Sequence, residues 1–238
     1  MKKINGGYDS ASKKARNNSN DIKKLCGMAI FVAFAVVATF LTKWLQVAHL
    51  TFDAKDAVIT IAAYIYGPIP ALVMSFATSL IETITLGGDT GPYGLFMNIL
   101  STATFSLTAS IIYKRKRNMN SAILGLLCAV VSTTFVMLLA NIFVTPLYLG
   151  LPLFAPAIMK MLPTLILPFN LAKALMNSAL ALYLYKPVLA ALRGAKLIEG
   201  SAKNTLSFNK NSKIAFVVGL VVIAVSAAIF LIVLNLNS

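Results

Sequence analysis

Acidic residues are scarce in this chain of 238 residues, which contains only seven Asp and Glu side chains. Charged residues of both signs make up only 12% of the sequence, whereas hydrophobic residues make up 58%. A soluble domain has about a quarter charged and about half apolar residues. The composition therefore excludes an ordinary water-soluble domain and indicates a protein whose main solvent is lipid.

Motifs for nucleotide hydrolysis and metal catalysis are also missing from the sequence. No G-x-x-x-x-G-K-[ST] segment is present to hold a phosphate, and a chain whose single histidine is His49 cannot contain H-E-x-x-H. No G-x-S-x-G nucleophile motif occurs, and we interpret His49 as an ordinary loop residue. We therefore expect no catalytic residues, no metal site, no cofactor and no ATP hydrolysis by this chain itself.

Basic residues, by contrast, are abundant, because 21 Lys and Arg give a formal net charge of +14. Most of them fall into clusters within residues 1–24, 114–117 and 186–213. A nucleic-acid-binding protein can be equally basic, but long apolar segments separate these clusters and leave no folded soluble region as a binding face. We therefore expect no nucleic acid partner. The positive-inside rule instead places all of these clusters on the cytoplasmic side of a bilayer.

Long apolar segments predict an all-α integral membrane protein with seven spans. Crossing the hydrocarbon core takes about 20 residues, so the apolar run 57–86 is too long for one helix. Because Gly67-Pro68 interrupts this run, we predict two helices joined there by a tight turn. The predicted spans are Leu25–Leu41, Asp56–Tyr66, Pro68–Leu86, Pro92–Tyr113, Ser121–Leu149, Pro156–Tyr185 and Ile214–Leu234.

The number of spans is consistent with the charge distribution, because an even number of spans separates each basic cluster from the next. We predict a multi-pass plasma-membrane protein with a cytoplasmic N-terminus. The predicted parts are a disordered basic tail (1–24), a six-helix core (25–187), a basic cytoplasmic linker (188–213) and an additional transmembrane helix (214–235).

Polar residues at membrane depth are the clearest candidates for a binding site, because each is costly unless it faces a partner or a cavity. Asn170 and Lys173 are three positions apart in the sixth predicted span and therefore share one helix face. The alternative for Lys173 is a structural ion pair with Glu82. Asn141, in the outer half of the fifth span, can both donate and accept hydrogen bonds, although a helix-packing hydrogen bond would also explain it.

Two exterior segments add candidate ligand contacts. One is T-F-D-A-K-D at 51–56, in which Asp53 and Asp56 either contact a ligand or cap the start of the second span. The other is the glycine-rich segment that leads to Tyr93 and Asn98, where the backbone can approach a ligand closely. An ordinary tight turn would also explain the glycines. Together these groups predict a site that takes a small solute from the exterior.

Small residues mark one face of the first span. Ala29 and Ala33 are four positions apart, so they allow another helix to approach this face closely. Packing within the chain and docking of a partner protein both explain such a pair.

Taken in order along the chain, these motifs resemble the substrate-binding S components of energy-coupling factor (ECF) vitamin transporters, and the riboflavin-specific branch is the most similar. The resemblance covers about residues 25–187. It rests on A-x-x-x-A in the first span, F-D-x-x-D before the second, I-Y-G-P at 65–68, an Asn before a Pro in the fifth, and L-P-F-N-L-A-K at 167–173. The seventh span and the basic linker lie outside this six-helix pattern.

The resemblance implies a subunit that captures a vitamin outside the cell and associates with a transmembrane scaffold subunit and two cytoplasmic ATPases. In the riboflavin branch, the residues that match Asn141, Asn170 and Lys173 contact the ligand. Those that match Ala29 and Ala33 face the scaffold helices.

The transported ligand is then expected to be riboflavin or its phosphorylated form, FMN. Tyr93 or Trp44 can stack on a flavin ring. Related branches bind pantothenate, folate or thiamine on the same scaffold, so another vitamin is the first alternative. A membrane adaptor without a ligand is the second.

Overall fold

The computed structural model describes the backbone of residues 5–43, 46–47, 50–85, 91–195, 219, 221–226, 228–229 and 232, and within these ranges the side chains from residue 21 onwards except 46–47. The fold is all-α, as predicted. Its helices are α1 (Asn5–Thr42), α2 (Lys55–Tyr66), α3 (Pro68–Thr85), α4 (Gly91–Lys116), α5 (Met119–Leu149), α6 (Pro156–Met161) and α7 (Leu167–Gly194). Two short antiparallel strands, β1 (Gln46–Val47) and β2 (Leu50–Thr51), precede α2.

Five helical segments in the described part of the chain are long and apolar enough to cross a membrane. They are Asp21–Thr42, Pro68–Thr85, Gly91–Lys116, Met119–Leu149 and Pro156–Gly194. Large apolar side chains such as Ile69 and Val131 are exposed on their outer surfaces. A soluble monomer rarely exposes so much apolar surface, whereas lipid solvates it. This surface identifies a membrane protein.

Helix α2 differs from the predicted second span in its surroundings. Its 12 residues extend about 18 Å, which is shorter than a hydrocarbon core of about 30 Å. Its neighbours are α1, α3, α4 and α7, and Ala57, Ile59 and Ala62 are fully buried against them. Helix α2 is therefore a short central helix that is surrounded by protein, which explains why its first turn can carry charged residues.

The turn between α2 and α3 forms at Gly67-Pro68, as predicted. Gly67 has a φ of 98°, a conformation that glycine adopts easily because it has no Cβ. Its N–H donates a hydrogen bond of 2.9 Å to the Ala63 carbonyl and closes α2. Pro68 then begins α3, where the N–H that it lacks would have had no helical partner.

Helix α1 is longer than predicted at its N-terminal end. It begins at Asn5, so most of the tail predicted to be disordered has a helical backbone. Once an apolar span has formed, each further residue adds a helical hydrogen bond, and Lys, Arg and Ala are good helix formers. The helix therefore extends beyond the apolar residues that define the span.

The end of the predicted core also needs correction, because α7 continues past Pro187 to Gly194. Leu192 is buried in the main hydrophobic cluster, and its packing offsets the hydrogen bond that Pro187 removes. The first residues of the predicted linker are therefore helical. Residues 196–213 of that linker, and 214–218 and 233–235 of the predicted seventh helix, lie outside the described residues.

The sixth predicted span is continuous but contains a π-helical turn, Leu162–Ile166, between α6 and α7. Pro163 and Pro168 have no N–H, so the regular hydrogen-bond pattern cannot run through this stretch. The Leu167 N–H bonds instead to the Leu162 carbonyl, five residues earlier. Such turns are frequent at functional sites, and this one directly precedes the segment that carries Asn170 and Lys173.

Candidate functional site

A buried ion pair connects α7 to the loop before α2. Lys173 Nζ lies 2.8 Å from Asp53 Oδ2, and the two residues are only 7% and 1% exposed. Burial alone would raise the pKa of Asp53, but the charges of Lys173 and Lys55 outweigh burial and hold that pKa below its ordinary value. Asp53 is therefore a carboxylate, and the alternative pairing of Lys173 with Glu82 is wrong.

Lys55, in the first turn of α2, extends this pair into a network. Its ammonium is fully buried, pairs with the Glu82 carboxylate of α3, and lies 3.7 Å from Asp53 Oδ2. Asn98 of α4 donates a hydrogen bond of 3.2 Å to Glu82 Oε1. Lys55 thus bridges two carboxylates, and the network reaches from α7 to α4.

Asp56 is bonded to α4. Its Oδ1 accepts a hydrogen bond of 2.6 Å from the Thr102 hydroxyl, and its Oδ2 accepts one of 3.4 Å from Ser101. Negative charge in the first turn of α2 is also favoured by the helix dipole. Asp56 therefore joins α2 to α4, and the hydroxyl residues of α4 are site residues that sequence reasoning missed.

Asn177 of α7 holds the start of α2 in place, and sequence reasoning missed it as well. Its Oδ1 accepts from the Ala57 N–H at 3.0 Å, while its Nδ2 donates to the Asp53 carbonyl at 2.9 Å and to the Lys173 carbonyl at 3.1 Å. The cap expected from an aspartate is thus supplied by an amide. Asn170, Lys173 and Asn177 follow a three-then-four spacing, which places them on one helix face and would have identified Asn177.

Asn170 and Asn141 are both buried, and their described hydrogen bonds lie within their own helices. Asn170 Nδ2 donates to the Ile166 carbonyl at 2.8 Å, at the end of the π turn. Asn141 Nδ2 donates to the Met137 carbonyl at 2.7 Å, and Asn141 Oδ1 accepts from Thr145 at the same distance. A hydrogen bond from Asn141 to a neighbouring helix, which was the alternative explanation for this residue, is therefore not among its described contacts.

Tyr93 lies outside this polar network. It is 41% exposed near the start of α4, whereas Asn98, further along the same helix, contacts the network through Glu82. The glycine-rich segment 86–90, Trp44 and His49 lie outside the described residues. Of the candidates from the two loop segments, Asp53, Asp56 and Asn98 are thus brought together.

One buried acceptor in the site has no partner within the described part of the chain. Asp53 Oδ1 forms no hydrogen bond there, although Oδ2 of the same carboxylate binds Lys173. A buried polar atom is normally bonded, so this oxygen can accept a hydroxyl or N–H of a ligand. Among residues with described positions, no group of three or more His, Cys, Asp or Glu is placed to hold a metal ion. The arrangement therefore suits an organic ligand with hydrogen-bond donors.

Ala29 and Ala33 lie on the outer face of α1. Both are exposed, whereas Phe31 and Ala35 of the same helix are buried against the core. Packing within the described chain therefore does not explain the pair. This face is open to lipid or to a helix of another protein.

These observations define an all-helical membrane protein that encloses a buried polar network. A family model described as "ECF transporter, substrate-specific component" matches residues 23–188. A solved structure described as "Structure and mechanism of the S component of a bacterial ECF transporter" is 30% identical, with a TM-score of 0.61, and the match covers 73% of this chain and 99% of that one.

A sequence relative supports the same assignment. The chain is 32% identical over 175 residues to "Riboflavin transporter RibU" of Staphylococcus aureus (strain TCH60), and the match covers 71% of this chain and 92% of the relative. This chain belongs to the family of substrate-specific components of ECF transporters, which confirms the resemblance inferred from its motifs. The residues after 188 lie beyond the family match.

Proposed function

We propose that this protein is the riboflavin-capturing component of an ECF-type importer. It takes riboflavin from the exterior and delivers it through a scaffold subunit and two cytoplasmic ATPases. The observation that carries the proposal is the buried Asp53–Lys173 pair with Asn170 on the same face of α7, in a chain 32% identical over 175 residues to a protein named a riboflavin transporter.

The chemistry of riboflavin fits the groups of this site. The vitamin carries hydroxyl donors on its ribityl chain and carbonyl acceptors on its ring. An ammonium has three N–H donors, and the described contacts of Lys173 use one of them, for Asp53. The remaining donors suit ring carbonyls, Asp53 Oδ1 suits a hydroxyl, and the amides of Asn141 and Asn170 can serve either. Tyr93, which is exposed near the start of α4, is proposed to cover the ligand from the exterior side.

The same division of roles explains the rest of the chain. In this proposal the two ATPase subunits supply the energy for import, and the chain itself has no phosphate-binding motif. The exposed Ala29 and Ala33 provide a smooth face on which a scaffold helix can pack. The basic clusters orient the protein in the plasma membrane with its N-terminus in the cytoplasm.

The experiment that tests this function is a titration of the purified protein in detergent with riboflavin, read by quenching of flavin fluorescence. Lys173→Ala should weaken binding roughly 10- to 100-fold, since a hydrogen bond to a charged group contributes about 1.5–3 kcal/mol. Lys160→Ala is the matched control, because Lys160 is an exposed lysine of α6. It should bind like the unchanged protein.

Direct titrations with other vitamins separate the alternatives. FMN is titrated in the same way, because its flavin ring is fluorescent, and the binding of pantothenate, folate and thiamine is measured by isothermal titration calorimetry. Binding of another vitamin but not of riboflavin would keep the family role and replace the ligand. No binding of any of them, by a protein that still assembles with its partners, would favour an adaptor without a ligand.

A further inference from the structure

A helix beyond the family match packs against the wall of the candidate site. The match ends at residue 188, yet the described residues Gly219, 221–226, 228–229 and Ile232 have helical backbone. We refer to these residues as the C-terminal helix. Neither the function proposed above nor the shared six-helix core assigns a role to it.

Three contacts fix this helix on α7. At Gly219, an added Cβ would lie 2.9 Å from the Tyr183 ring, so the backbone of the C-terminal helix lies directly against this side chain of α7. Ser226 Oγ donates a buried hydrogen bond of 2.6 Å to the Ala172 carbonyl. Ile229 packs against the cluster formed by Phe52, Leu165 and Phe169.

These contacts define an antiparallel helix pair. Gly219 lies against Tyr183, Ser226 against Ala172, and Ile229 against the cluster that contains Phe169 and Leu165. Residue numbers thus rise along the C-terminal helix while those of its partners fall. The spacings of seven and three residues keep the contacts on one face. Val221, Val225 and Ile232 are exposed, so the helix also presents apolar side chains to lipid. The helix therefore runs back along α7 towards the end that carries the site.

The contacts of this helix adjoin both members of the site's ion pair. Ala172, which accepts from Ser226, directly precedes Lys173, and Phe52, in the cluster that Ile229 covers, directly precedes Asp53. Phe52 belongs to the loop before α2, so its burial in this cluster restrains the loop in addition to the bonds that Lys173 and Asn177 make to Asp53. A loop is normally the most mobile part of a fold, and packing is what restrains it.

We propose that the C-terminal helix is a structural part of the ligand site, in which Ile229 and Ser226 are positioning residues for Asp53 and Lys173. They hold the Phe52 loop against α7 and thereby slow the release of bound ligand. The effect on ligand release rests on the function proposed above, whereas the restraint of the loop does not depend on any ligand.

The ligand-independent test is hydrogen–deuterium exchange of the full chain in detergent, followed by mass spectrometry of peptides that cover residues 50–57. Ile229→Ala should raise exchange in this segment and leave α3 and α5 unchanged. Ile232→Ala is the matched control, because Ile232 is an isoleucine of the same helix whose side chain is 58% exposed. Ile229→Val should largely restore protection.

The ligand-dependent test is the dissociation rate of riboflavin, measured by dilution into excess competitor. Ile229→Ala should accelerate dissociation roughly threefold or more and change association little, because losses of packing act mainly on the dissociation rate. Ser226→Ala, which removes the hydrogen-bond donor without adding volume, should act in the same direction. If Ile229→Ala yields no folded protein, Ser226→Ala is the variant used in both tests.

Unchanged exchange at 50–57 in both variants, or an equal rise in every helix, would overturn the proposal. Raised exchange at 50–57 in a protein that binds no riboflavin would instead reject the proposed ligand and keep the structural role of the helix. The two failures are thus distinguishable.

Discussion

Lys173 and Asp53 are 120 positions apart in the sequence, yet Lys173 Nζ lies 2.8 Å from Asp53 Oδ2. This contact joins the N-terminal part of α7 to the loop that precedes α2. Both charged groups are buried away from water, so each is stabilised by the opposite charge of the other. The position of the loop before α2 is therefore tied to the helix that carries the strongest candidate ligand contacts.

Breaking this pair should be more harmful than removing it entirely. We expect Asp53→Asn to lower the free energy of unfolding by about 3–5 kcal/mol, because the buried Lys173 ammonium loses its carboxylate partner. Lys173→Met should cost less, because Lys55 still lies 3.7 Å from Asp53 Oδ2. The double variant should recover much of that loss. A double-mutant cycle in detergent, with unfolding followed by denaturant titration, measures the coupling. Additive effects of the two single changes would show that the residues do not interact.

Asn177 should affect both stability and ligand binding. Asn177→Leu removes three hydrogen bonds, each with a net contribution of about 1 kcal/mol. The start of α2 then loses its cap, and we expect riboflavin affinity to fall with the unfolding free energy. Ser178→Ala is the neighbouring control, because the described bond of Ser178 Oγ stays within α7. Equal effects of the two variants would contradict a special role for Asn177.

The composition and motifs predicted the helical membrane fold, the Gly67-Pro68 turn and the face that carries Asn170 and Lys173. These features depend on local sequence, since a proline removes a donor and a three-residue spacing defines a helix face. The partner of Lys173 could not be predicted in this way. Asp53 and Glu82 are equally plausible partners until the packing of α2 between its neighbours is known.

The close approach of α4 and α5 gives a test of the fold itself. A Cβ at Gly125 would lie 2.7 Å from the Ala109 carbonyl oxygen, and a backbone atom cannot move aside as a flexible side chain can. Gly125→Ala should therefore destabilise the protein by about 1–3 kcal/mol, as overpacking does. Gly194→Ala is the control, because no atom lies within 4 Å of a Cβ there. Its melting temperature should not fall.

The outer face of α1 should be required for transport but not for binding. Trp in place of Ala29 or Ala33 fills the smooth face where a scaffold helix is proposed to pack. Uptake of labelled riboflavin by cells should then be lost, while the isolated variant keeps its affinity. Val131→Trp, on the exposed face of α5, should preserve both activities. Loss of binding by the α1 variants would mean that this face is needed for the fold of the subunit.

The short central helix and the C-terminal helix show where sequence patterns are insufficient. Hydropathy treats α2 as a span because its residues are apolar, although protein rather than lipid surrounds it. Hydropathy also detects the C-terminal helix but cannot identify the helix that it packs against. The contacts of Ser226 with Ala172, and of Ile229 with the cluster that contains Phe169, are visible only in the folded structure. Tertiary packing supplies both answers.

The most direct measurement is the visible absorption spectrum of the full chain, purified alone in detergent from cells grown with riboflavin. A tightly bound flavin absorbs in the blue and survives purification, so we expect flavin bands at nearly one flavin per protein. Lys173→Ala should lose these bands, whereas Lys160→Ala should keep them. A colourless, folded protein that also fails to quench added riboflavin would contradict the proposal that this ECF component captures riboflavin.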